Sequence, residues 1–457
     1  MNQKLSVEPA PQTRPKPSFA SRLPFIVLVA LVMRLIVVCF VYRDLPDADK
    51  FYEAFGWEMG WIARALATGH GFSSPYWPWS GPTAMQPPLY PALLSVVFRL
   101  FGVYSLTAAF VTLSINSLFS TLTCIPVYFS AQYSLGTRGA RIAAWVWALY
   151  PFAIYFSACR VWEFSLTSLL FTTSFCIAQR IHRTANPLAW IGWGAFAGLT
   201  ALSNPATLST LPFLAFIAAW QLRKAELGKA EQGKAGHRWL VNFVLTGLAA
   251  AAVLTPWTIR NYRAVGILCP VRDNFWLEIY DENTGDDSLD PSLTHPETNA
   301  HPASNPVAMH EFLTIGEKVY LDEKHALASA YIHQHPEFLI HKTLRRIFYY
   351  WTGFWSISMQ ELHEQPYEPG NIFYVSAMTF FMLRGIRRLW RFNRTALLPY
   401  LVLVCLFPIT YYITHAWMDY RQPIEPAIVV LAVAGAVPWK RLKPGDATTW
   451  IGVERAA

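Results

Sequence analysis

Two kinds of charged residue in this 457-residue sequence are placed to do chemistry: carboxylates at Glu58 and Glu163, and arginines at Arg260 and Arg421. A carboxylate can take a proton from a hydroxyl or an amine that attacks a carbon atom. An arginine can neutralise a departing phosphate through its bidentate guanidinium group. Together these residue types predict an enzyme that transfers a group away from a phosphate.

Glu58 lies in the stretch "FGWEMGWIARALATGHGF", which we predict to be a helix ended by glycine. At helical spacing Glu58 falls on the same face as Phe55, Ile62 and Leu66, whereas Arg64 falls on the other face. An ionised carboxylate on an apolar face is costly unless it has a partner. We therefore predict that this face of the helix forms the wall of a cavity in which Glu58 acts.

The four charged residues also have simpler structural interpretations. Arg260 and Arg421 could anchor helix ends by reaching to lipid headgroups. Glu163 could form a local ion pair with the neighbouring Arg160. The catalytic and the structural interpretations make different predictions about what each side chain contacts.

Four further polar residues are weaker candidates. Asp47 and Asp49 follow the first apolar run, where a solvated turn explains them as well as catalysis does. His415 lies near Asp419 and could help to bind a divalent metal, but one His and one Asp are a weak signal. The sequence indicates no cofactor with certainty.

Membrane-spanning helices must position these residues, because the chain is 53% hydrophobic and only 14% charged. Each apolar run is long enough to cross a bilayer core about 30 Å thick, at about 1.5 Å per residue. We predict an all-α polytopic membrane protein with about ten spans. The runs are 24–42, 106–132, 142–158, 164–180, 187–203, 206–222, 239–258, 370–387, 397–415 and 423–438.

The net charge of +8 is not gathered into a patch for nucleic acid. Basic residues instead follow the even-numbered runs, as expected of cytoplasmic linkers; examples are Arg138 and Arg141 after the second run. This pattern predicts a multi-pass protein of the inner (cytoplasmic) membrane with both termini in the cytoplasm and no nucleic-acid partner. The first run is longer than the apolar core of a signal peptide, which favours a signal anchor.

The predicted topology divides the chain into three parts. Residues 1–258 form an N-terminal transmembrane catalytic module that contains a first external loop, 43–105. Residues 259–369 form a second external segment that is rich in helix, and residues 370–457 form the C-terminal transmembrane helices. We call the two external parts the first loop and the second loop.

Both loops are predicted to contain helices. The first loop carries a proline-led apolar stretch over 85–102 that is typical of an interfacial helix. The second loop begins with an acidic, turn-rich stretch without periodicity and continues as one helical pattern from Met309 to His335. A short aromatic piece, "RRIFYYWTGFWSI", follows and is predicted to be partly embedded in the membrane.

Polar residues are concentrated where the runs meet these loops. The stretch "YFSACRVWEFSL" brings Arg160 and Glu163 to the end of the third run. "TPWTIRNYR" brings Arg260 to the end of the seventh, and "MDYRQPIEP" brings Arg421 to the start of the tenth. We expect all four residues to lie at one membrane surface.

The order of these elements resembles the membrane glycosyltransferases of the C-type fold, in the branch of the protein O-mannosyltransferases and lipid A aminoarabinose transferases. The resemblance covers nearly the whole chain and rests on "ALATGHGF", "PPLYPALL…LFG", "SNP", "TPWTIRNY" and "YRQPIEP". Such enzymes pass a sugar, with inversion, from a polyprenyl-phosphate carrier to a lipid, glycan or protein acceptor. The resemblance implies a hexosyl or pentosyl transferase with a lipid-linked donor and a periplasmic active site.

The resemblance also implies roles for particular residues. An acid in the first loop would be the general base; Glu58 is best placed, but Asp47 or Asp49 could be the counterpart. Glu163 matches the second acid, which follows the third span. The carrier phosphate and the sugar would be bound by Arg260, Asn261, Arg421, Tyr420, Arg160 and Tyr90.

Other classes of protein fit less well. An oligosaccharide ligase or polymerase of similar fold is the nearest alternative. A transporter would need polar or broken helices at mid-membrane, often in repeated halves. Here the halves are unalike and the polar groups are predicted at the outer surface. A scaffold protein would not need clustered carboxylates and arginines.

Overall fold

A computed structural model describes residues 22–44, 55–76, 79–227, 237–284, 300–354, 368–416 and 418–437. Asp47 and Asp49 lie outside the described residues. Within them the regular secondary structure is helical, apart from one isolated bridge between Ser73 and Pro82, and turns and irregular segments connect the helices. The α-helices are α1 Leu23–Val41, α2 Glu58–Ala67, α3 Leu89–Phe101, α4 Leu106–Leu122, α5 Cys124–Ala148, α6 Pro151–Ala158, α7 Phe164–Ala178, α8 Pro187–Ala201, α9 Leu211–Leu227, α10 Arg238–Val265, α11 Phe275–Asn283, α12 Pro306–Ile315, α13 Glu317–Gln334, α14 Pro336–Thr352, α15 Glu368–Phe392, α16 Arg394–Leu406, α17 Ile409–Ile413 and α18 Glu425–Ala436.

Several helices are long and apolar enough to cross a membrane, which identifies the chain as an integral membrane protein. Five such stretches occur among the described residues, and the other predicted runs fall on the end of α5 with α6 and on α7, α8, α15 and α18. The count of about ten spans therefore stays a prediction. The five stretches are Leu23–Val41, Leu106–Ala148, Pro205–Leu227, Arg238–Val265 and Arg394–Ile413.

The longest of these stretches is not one straight helix. Gly136, inside α5, has φ 74° and ψ −178°, a conformation that favours glycine and interrupts the helix. The break falls in the basic linker predicted between the second and third runs, just before Arg138. The two runs therefore meet at a tight glycine turn, and the basic residues begin the helix that follows it.

Glycines allow two pairs of helices to pack with their backbones in contact. A Cβ atom on Gly194 or Gly198 of α8 would collide with carbonyl oxygens of α10, and one on Gly385 of α15 would collide with a carbonyl of α18. Close approach through small residues is a common way for helices to associate in a membrane. These contacts hold α10 and α18 in place, and both helices carry predicted site residues at or near one end.

Arg34, in the middle of α1, is a fully buried charge that the sequence analysis did not single out. Its guanidinium group donates to the carbonyl oxygens of Ala148 at 2.8 Å and Trp147 at 3.3 Å, and to the Ser120 hydroxyl at 3.0 Å. Those carbonyls end α5, where helical partners are missing. Arg34 therefore provides hydrogen-bond donors for carbonyl groups at the end of α5, before the next helix begins at Pro151.

The predicted helix around Glu58 begins later than expected. Gly56 and Trp57 have φ values of 80° and 53°, so the backbone cannot be helical before Glu58, which is the first residue of α2. The expectation of one apolar and one polar face is wrong, since α2 is buried on nearly all sides. Arg64 is buried between the indole rings of Trp61 and Trp79, at 4.7 and 4.1 Å from their centroids.

The second loop contains four helices, α11 to α14. The acidic stretch predicted to lack periodicity begins with α11, and the helix predicted from Met309 to His335 is broken at Gly316, which has φ 81°. Phe312 and Tyr320 pack together with Tyr76 and Met85 of the first loop in one hydrophobic cluster. The two loops therefore form a shared core beside the ends of the long helices.

Candidate active site between the two loops

Glu58 is buried, and its carboxylate has partners from both loops. Oε1 lies 3.3 Å from Nε2 of His301, and Oε2 accepts a hydrogen bond of 3.4 Å from Nε2 of Gln86. Its position at the start of α2 also favours a negative charge. The sequence analysis expected a buried carboxylate here, but it did not find His301, which is distant along the chain.

His301 is surrounded by acids. Burial lowers the pKa of its ring, but the hydrogen bond to Glu58 and the charges of Glu58, Glu278 and Asp281 raise it to about 9. The ring is therefore a proton-bearing partner of Glu58 at neutral pH.

Glu278, on α11, is an ionised carboxylate at the centre of the site. Burial raises its pKa, but His415 and Arg272 lower it, with a net value of about 2. Its oxygens lie 3.1 Å from Nδ1 of His415, 3.4 Å from the Arg272 guanidinium and 2.5 Å from the Asn274 amide. His415 in turn contacts the Tyr420 hydroxyl at 2.6 Å through Nε2.

His415 was considered above as a metal ligand with Asp419. Its two ring nitrogens instead contact a carboxylate and a hydroxyl. Across the described part of the chain, no group of three or more His, Cys, Asp or Glu side chains is arranged to hold a metal ion.

Glu163 is buried immediately before α7. Oε1 accepts a hydrogen bond of 3.3 Å from Asn204, whereas Oε2 has no hydrogen-bond partner among the described residues. Burial raises the pKa of this carboxyl to about 8. Asn204 also bonds to the hydroxyl of Tyr411, whose ring stacks on Tyr420 at 4.7 Å. Glu163 therefore connects to the same network as Glu278.

The alternative interpretation of Glu163, a local ion pair with Arg160, is wrong. Both residues are described, and no ion pair joins them; Arg160 is exposed, and its backbone carbonyl accepts a hydrogen bond from Asn116. The positive charge of Arg160 instead interacts with the carboxyl group of Asp419. Burial raises the pKa of Asp419 to about 6, and the nearby Arg160 opposes that rise.

Arg272 is the arginine that lies among the acids. Its charge lowers the pKa of both Glu163 and Glu278, and its side chain is 25% exposed. The sequence analysis missed it, because "VRDN" has no periodicity and is not at the end of an apolar run. The signal that could have found it is a basic residue shortly after the "TPWTIRNY" motif.

Arg260 and Asn261 fasten the first loop to α10. The Arg260 guanidinium donates to the carbonyl oxygens of Thr83 and Phe72, and Asn261 donates to the Cys269 carbonyl at 3.3 Å while accepting from Arg260 at 3.2 Å. Arg260 also lines an open groove of about 350 Å³ along one face of α10. The prediction that it contacts a carrier phosphate stays untested.

Arg421 belongs to a closed, buried network. Its Nε lies 2.5 Å from Oε1 of Glu425, and Nη1 donates to the Tyr350 carbonyl at 3.3 Å. Glu425 also accepts a hydrogen bond of 2.5 Å from the Tyr150 hydroxyl. Tyr90, another predicted binding residue, is buried with its hydroxyl accepting from Asn116 at 2.8 Å.

The structure thus brings together only some of the predicted site residues. Glu58, Glu163 and Tyr420 belong to one polar cluster, which we call the acid–arginine cluster and which Arg272, Glu278, His301 and His415 complete. Arg260, Asn261 and Arg421 are held in other networks.

Comparisons with known proteins give structural likeness only. No protein-family model and no curated protein sequence matches the chain. The structure is similar to archaeal oligosaccharyltransferase AglB from Archaeoglobus fulgidus, in complex with an inhibitory peptide and a dolichol-phosphate. The identity is 15% and the TM-score 0.48, over 90% of this chain and 50% of that chain.

A structure of the Archaeoglobus fulgidus oligosaccharyltransferase with Zn and sulfate shares 13% identity, with a TM-score of 0.45 over 89% of this chain and 48% of that one. ArnT from Cupriavidus metallidurans bound to undecaprenyl phosphate shares 14% identity, with a TM-score of 0.40 over 92% and 78%. The chain spans about half the length of the oligosaccharyltransferases.

Proposed function

We propose that the chain is an inverting glycosyltransferase of the C-type fold. It would move a sugar from a polyprenyl-phosphate carrier to an acceptor at the outer surface of the cytoplasmic membrane. The observation that carries the proposal is the acid–arginine cluster, where the buried Glu163 and the partly buried Glu278 lie within electrostatic reach of the partly exposed Arg272. The sequence motifs around the cluster support the same class.

Glu58 is proposed as the general base. Its carboxylate takes the proton from the acceptor hydroxyl or amine, whose oxygen or nitrogen then forms a bond to the anomeric carbon. The bond between that carbon and the phosphate oxygen breaks, and the phosphate leaves with its negative charge. Glu163, with one oxygen lacking a hydrogen-bond partner among the described residues, is proposed to assist from the opposite side of the cluster.

Arg272 is our first choice for neutralising the departing phosphate. It is partly exposed and lies within electrostatic reach of Glu163 and Glu278, so a phosphate beside it would be close to the reacting groups. The sequence analysis proposed Arg260 and Arg421 for this role. The guanidinium group of Arg260 already bonds to the first loop, and that of Arg421 already pairs with Glu425. Variants of the three arginines distinguish the two proposals.

The topology is proposed as the sequence predicts it, with about ten spans, both termini in the cytoplasm and both loops outside. The acceptor is proposed to be a lipid, glycan or protein. The scheme names no cofactor, because the sugar is already activated at its anomeric carbon by the bond to the carrier phosphate; a divalent metal would be an addition to it.

Mass spectrometry of glycolipids and glycoproteins tests the proposal. A strain lacking the gene should lose one sugar modification, and the wild-type gene should restore it. Glu58→Gln should not restore it, because the variant keeps the size of the side chain and removes the base. Glu337→Gln, a change to a carboxylate that is 76% exposed, is the control and should restore it fully. Full restoration by Glu58→Gln would contradict the proposal.

A further inference from the structure

The contact between Glu58 and His301 joins the two loops at the proposed base. His301 Nε2 lies 3.3 Å from Glu58 Oε1, and the second carboxylate oxygen accepts from Gln86 at 3.4 Å. Each oxygen of the carboxylate therefore has a nitrogen donor on a different loop. Such donors restrict the side-chain torsions of Glu58 and favour its charged form.

The backbone around His301 is held firmly from both sides. The Ala300 amide donates to Oδ1 of Asp281 at 2.6 Å, and the Tyr320 hydroxyl donates to the Ala300 carbonyl. Beyond the ring, the Ala303 amide donates to Nδ1 of His301 at 3.3 Å. Nδ1 can accept this bond only in the neutral ring, whose one proton then sits on Nε2; in the charged ring, which the raised pKa favours at neutral pH, both nitrogens carry a proton and the Ala303 bond is lost. Nε2–H therefore faces Glu58 in either state.

We propose that His301 is the positioning residue for Glu58, so that the second loop supplies an essential part of the active site. This inference rests on the proposed function, because it takes Glu58 as the base. His301 does not touch the reacting atoms in this account. It holds one carboxylate oxygen in place, while Gln86 holds the other.

Charged groups on every side of His301 support this role. Glu58 faces it from α2, and Glu278 and Asp281 face it from α11; Arg272 and His415 lie on the far side of Glu278. These acids favour a proton on the ring. Without His301, one oxygen of the Glu58 carboxylate would lose its donor, and a hydrogen-bond donor favours the charged form of the carboxylate that accepts from it. As the pH is lowered, transfer by a variant without His301 should therefore fail at a higher pH than transfer by the wild type.

The test compares transfer at different pH values in membranes that contain their own donor lipid and acceptor. Membranes from the source organism carrying wild-type or variant protein are incubated between pH 5 and 9, and the product is measured by mass spectrometry. His301→Leu removes the donor and should move the acid-side midpoint of transfer up by about one pH unit. His301→Gln keeps an N–H donor and should recover part of that shift. His310→Leu, at an exposed histidine on α12, is the control and should leave the midpoint unchanged.

A double-mutant cycle that measures stability tests the contact between Glu58 and His301 without any substrate. Thermal midpoints in detergent are compared for Glu58→Gln, His301→Leu and the double variant. A pair in contact should be non-additive, so that the double variant loses less than the sum of the single losses. Additive losses would overturn the pairing of His301 with Glu58.

The two measurements separate this inference from the proposed function. If Glu58→Gln abolishes transfer but His301→Leu leaves the pH midpoint unchanged, the positioning role is overturned and the proposed function stands. If Glu58→Gln transfers normally, the base assignment fails and the positioning role fails with it. A shift with His301→Leu that His301→Gln partly reverses, together with a non-additive cycle, would support the inference.

Discussion

Two regions of this protein each contain an arginine beside a glutamate, but the arginine is exposed to a different extent in each. In the Arg421 network, an arginine that is 1% exposed pairs with Glu425, which also accepts from Tyr150. Arg421 Nη1 donates to Tyr350 and Thr379, and Nη2 has no hydrogen-bond partner among the described residues. In the acid–arginine cluster, Arg272 is 25% exposed and Glu163 has one oxygen with no hydrogen-bond partner in the described structure. A buried arginine is shielded from a substrate, whereas the partly exposed Arg272 leaves positive charge available to one.

The comparison shows why charge at the end of a helix is a poor guide to function by itself. Arg421 and Arg272 lie near the same end of the bundle, and each contacts a glutamate. They differ in exposure, because the Arg421 side chain is 1% exposed and the Arg272 side chain is 25% exposed. Variants that break the closed network should mainly reduce stability, and variants in the open cluster should mainly reduce transfer.

The largest expected effect on stability comes from opening the closed network. Arg421→Leu leaves Glu425 as an uncompensated buried charge, which costs about 3–5 kcal/mol of unfolding free energy. Thermal unfolding in detergent should show a much lower midpoint. The double variant Arg421→Met with Glu425→Leu should recover much of the loss, because both charges are then removed. An unchanged midpoint for Arg421→Leu would mean that the pair is not closed.

A smaller effect is expected at Glu163, and it depends on pH. The carboxyl ionises near pH 4.5 when unfolded, and burial raises its pKa to about 8 when folded. The folded state therefore binds more protons in this window, and the stability it contributes is lost as pH rises through about 8. Glu163→Gln removes that loss.

Thermal midpoints at pH 5 and pH 9 check this prediction. The wild type should lose more stability between the two pH values than Glu163→Gln does. Glu337→Gln, at an exposed carboxylate, should behave like the wild type. Equal losses for all three proteins would show that Glu163 is not held in a desolvating site.

The smallest expected effect is at Arg260. Arg260→Lys keeps the charge but loses the fork that reaches the Thr83 and Phe72 carbonyls, so the first loop should loosen by about 1 kcal/mol. Limited proteolysis of the first loop should be faster, with donor binding little changed. A large loss of donor binding with an intact first loop would instead support the predicted contact between Arg260 and the carrier phosphate.

The sequence was informative where local patterns decide the structure. The first apolar run, 24–42, corresponds to α1, Leu23–Val41, and the prediction of Glu163 at the start of a span matches its position before α7. Burial of Glu58 was also predicted correctly. These results follow from hydrophobic run length and helix boundaries, which depend on neighbouring residues.

The sequence was uninformative where distant segments meet. The partners of Arg260 lie 177 and 188 residues away, so nothing in "TPWTIRNY" could indicate that it binds backbone carbonyls of the first loop. His301 and Arg272 lie in a part of the second loop without periodicity, and their importance comes only from tertiary packing. The start of α2 was misplaced because Trp57 has a positive φ that is uncommon for a residue with a side chain.

Binding of undecaprenyl phosphate to the purified protein in lipid nanodiscs tests the central distinction most directly. The account predicts that Arg272→Gln weakens binding about tenfold or more, because a charge-assisted contact to phosphate is lost. Arg421→Lys, in the closed network, should bind nearly as the wild type does, provided that it remains folded. Normal binding by Arg272→Gln together with a tenfold loss in Arg421→Lys would contradict the account and restore Arg421 as the phosphate ligand.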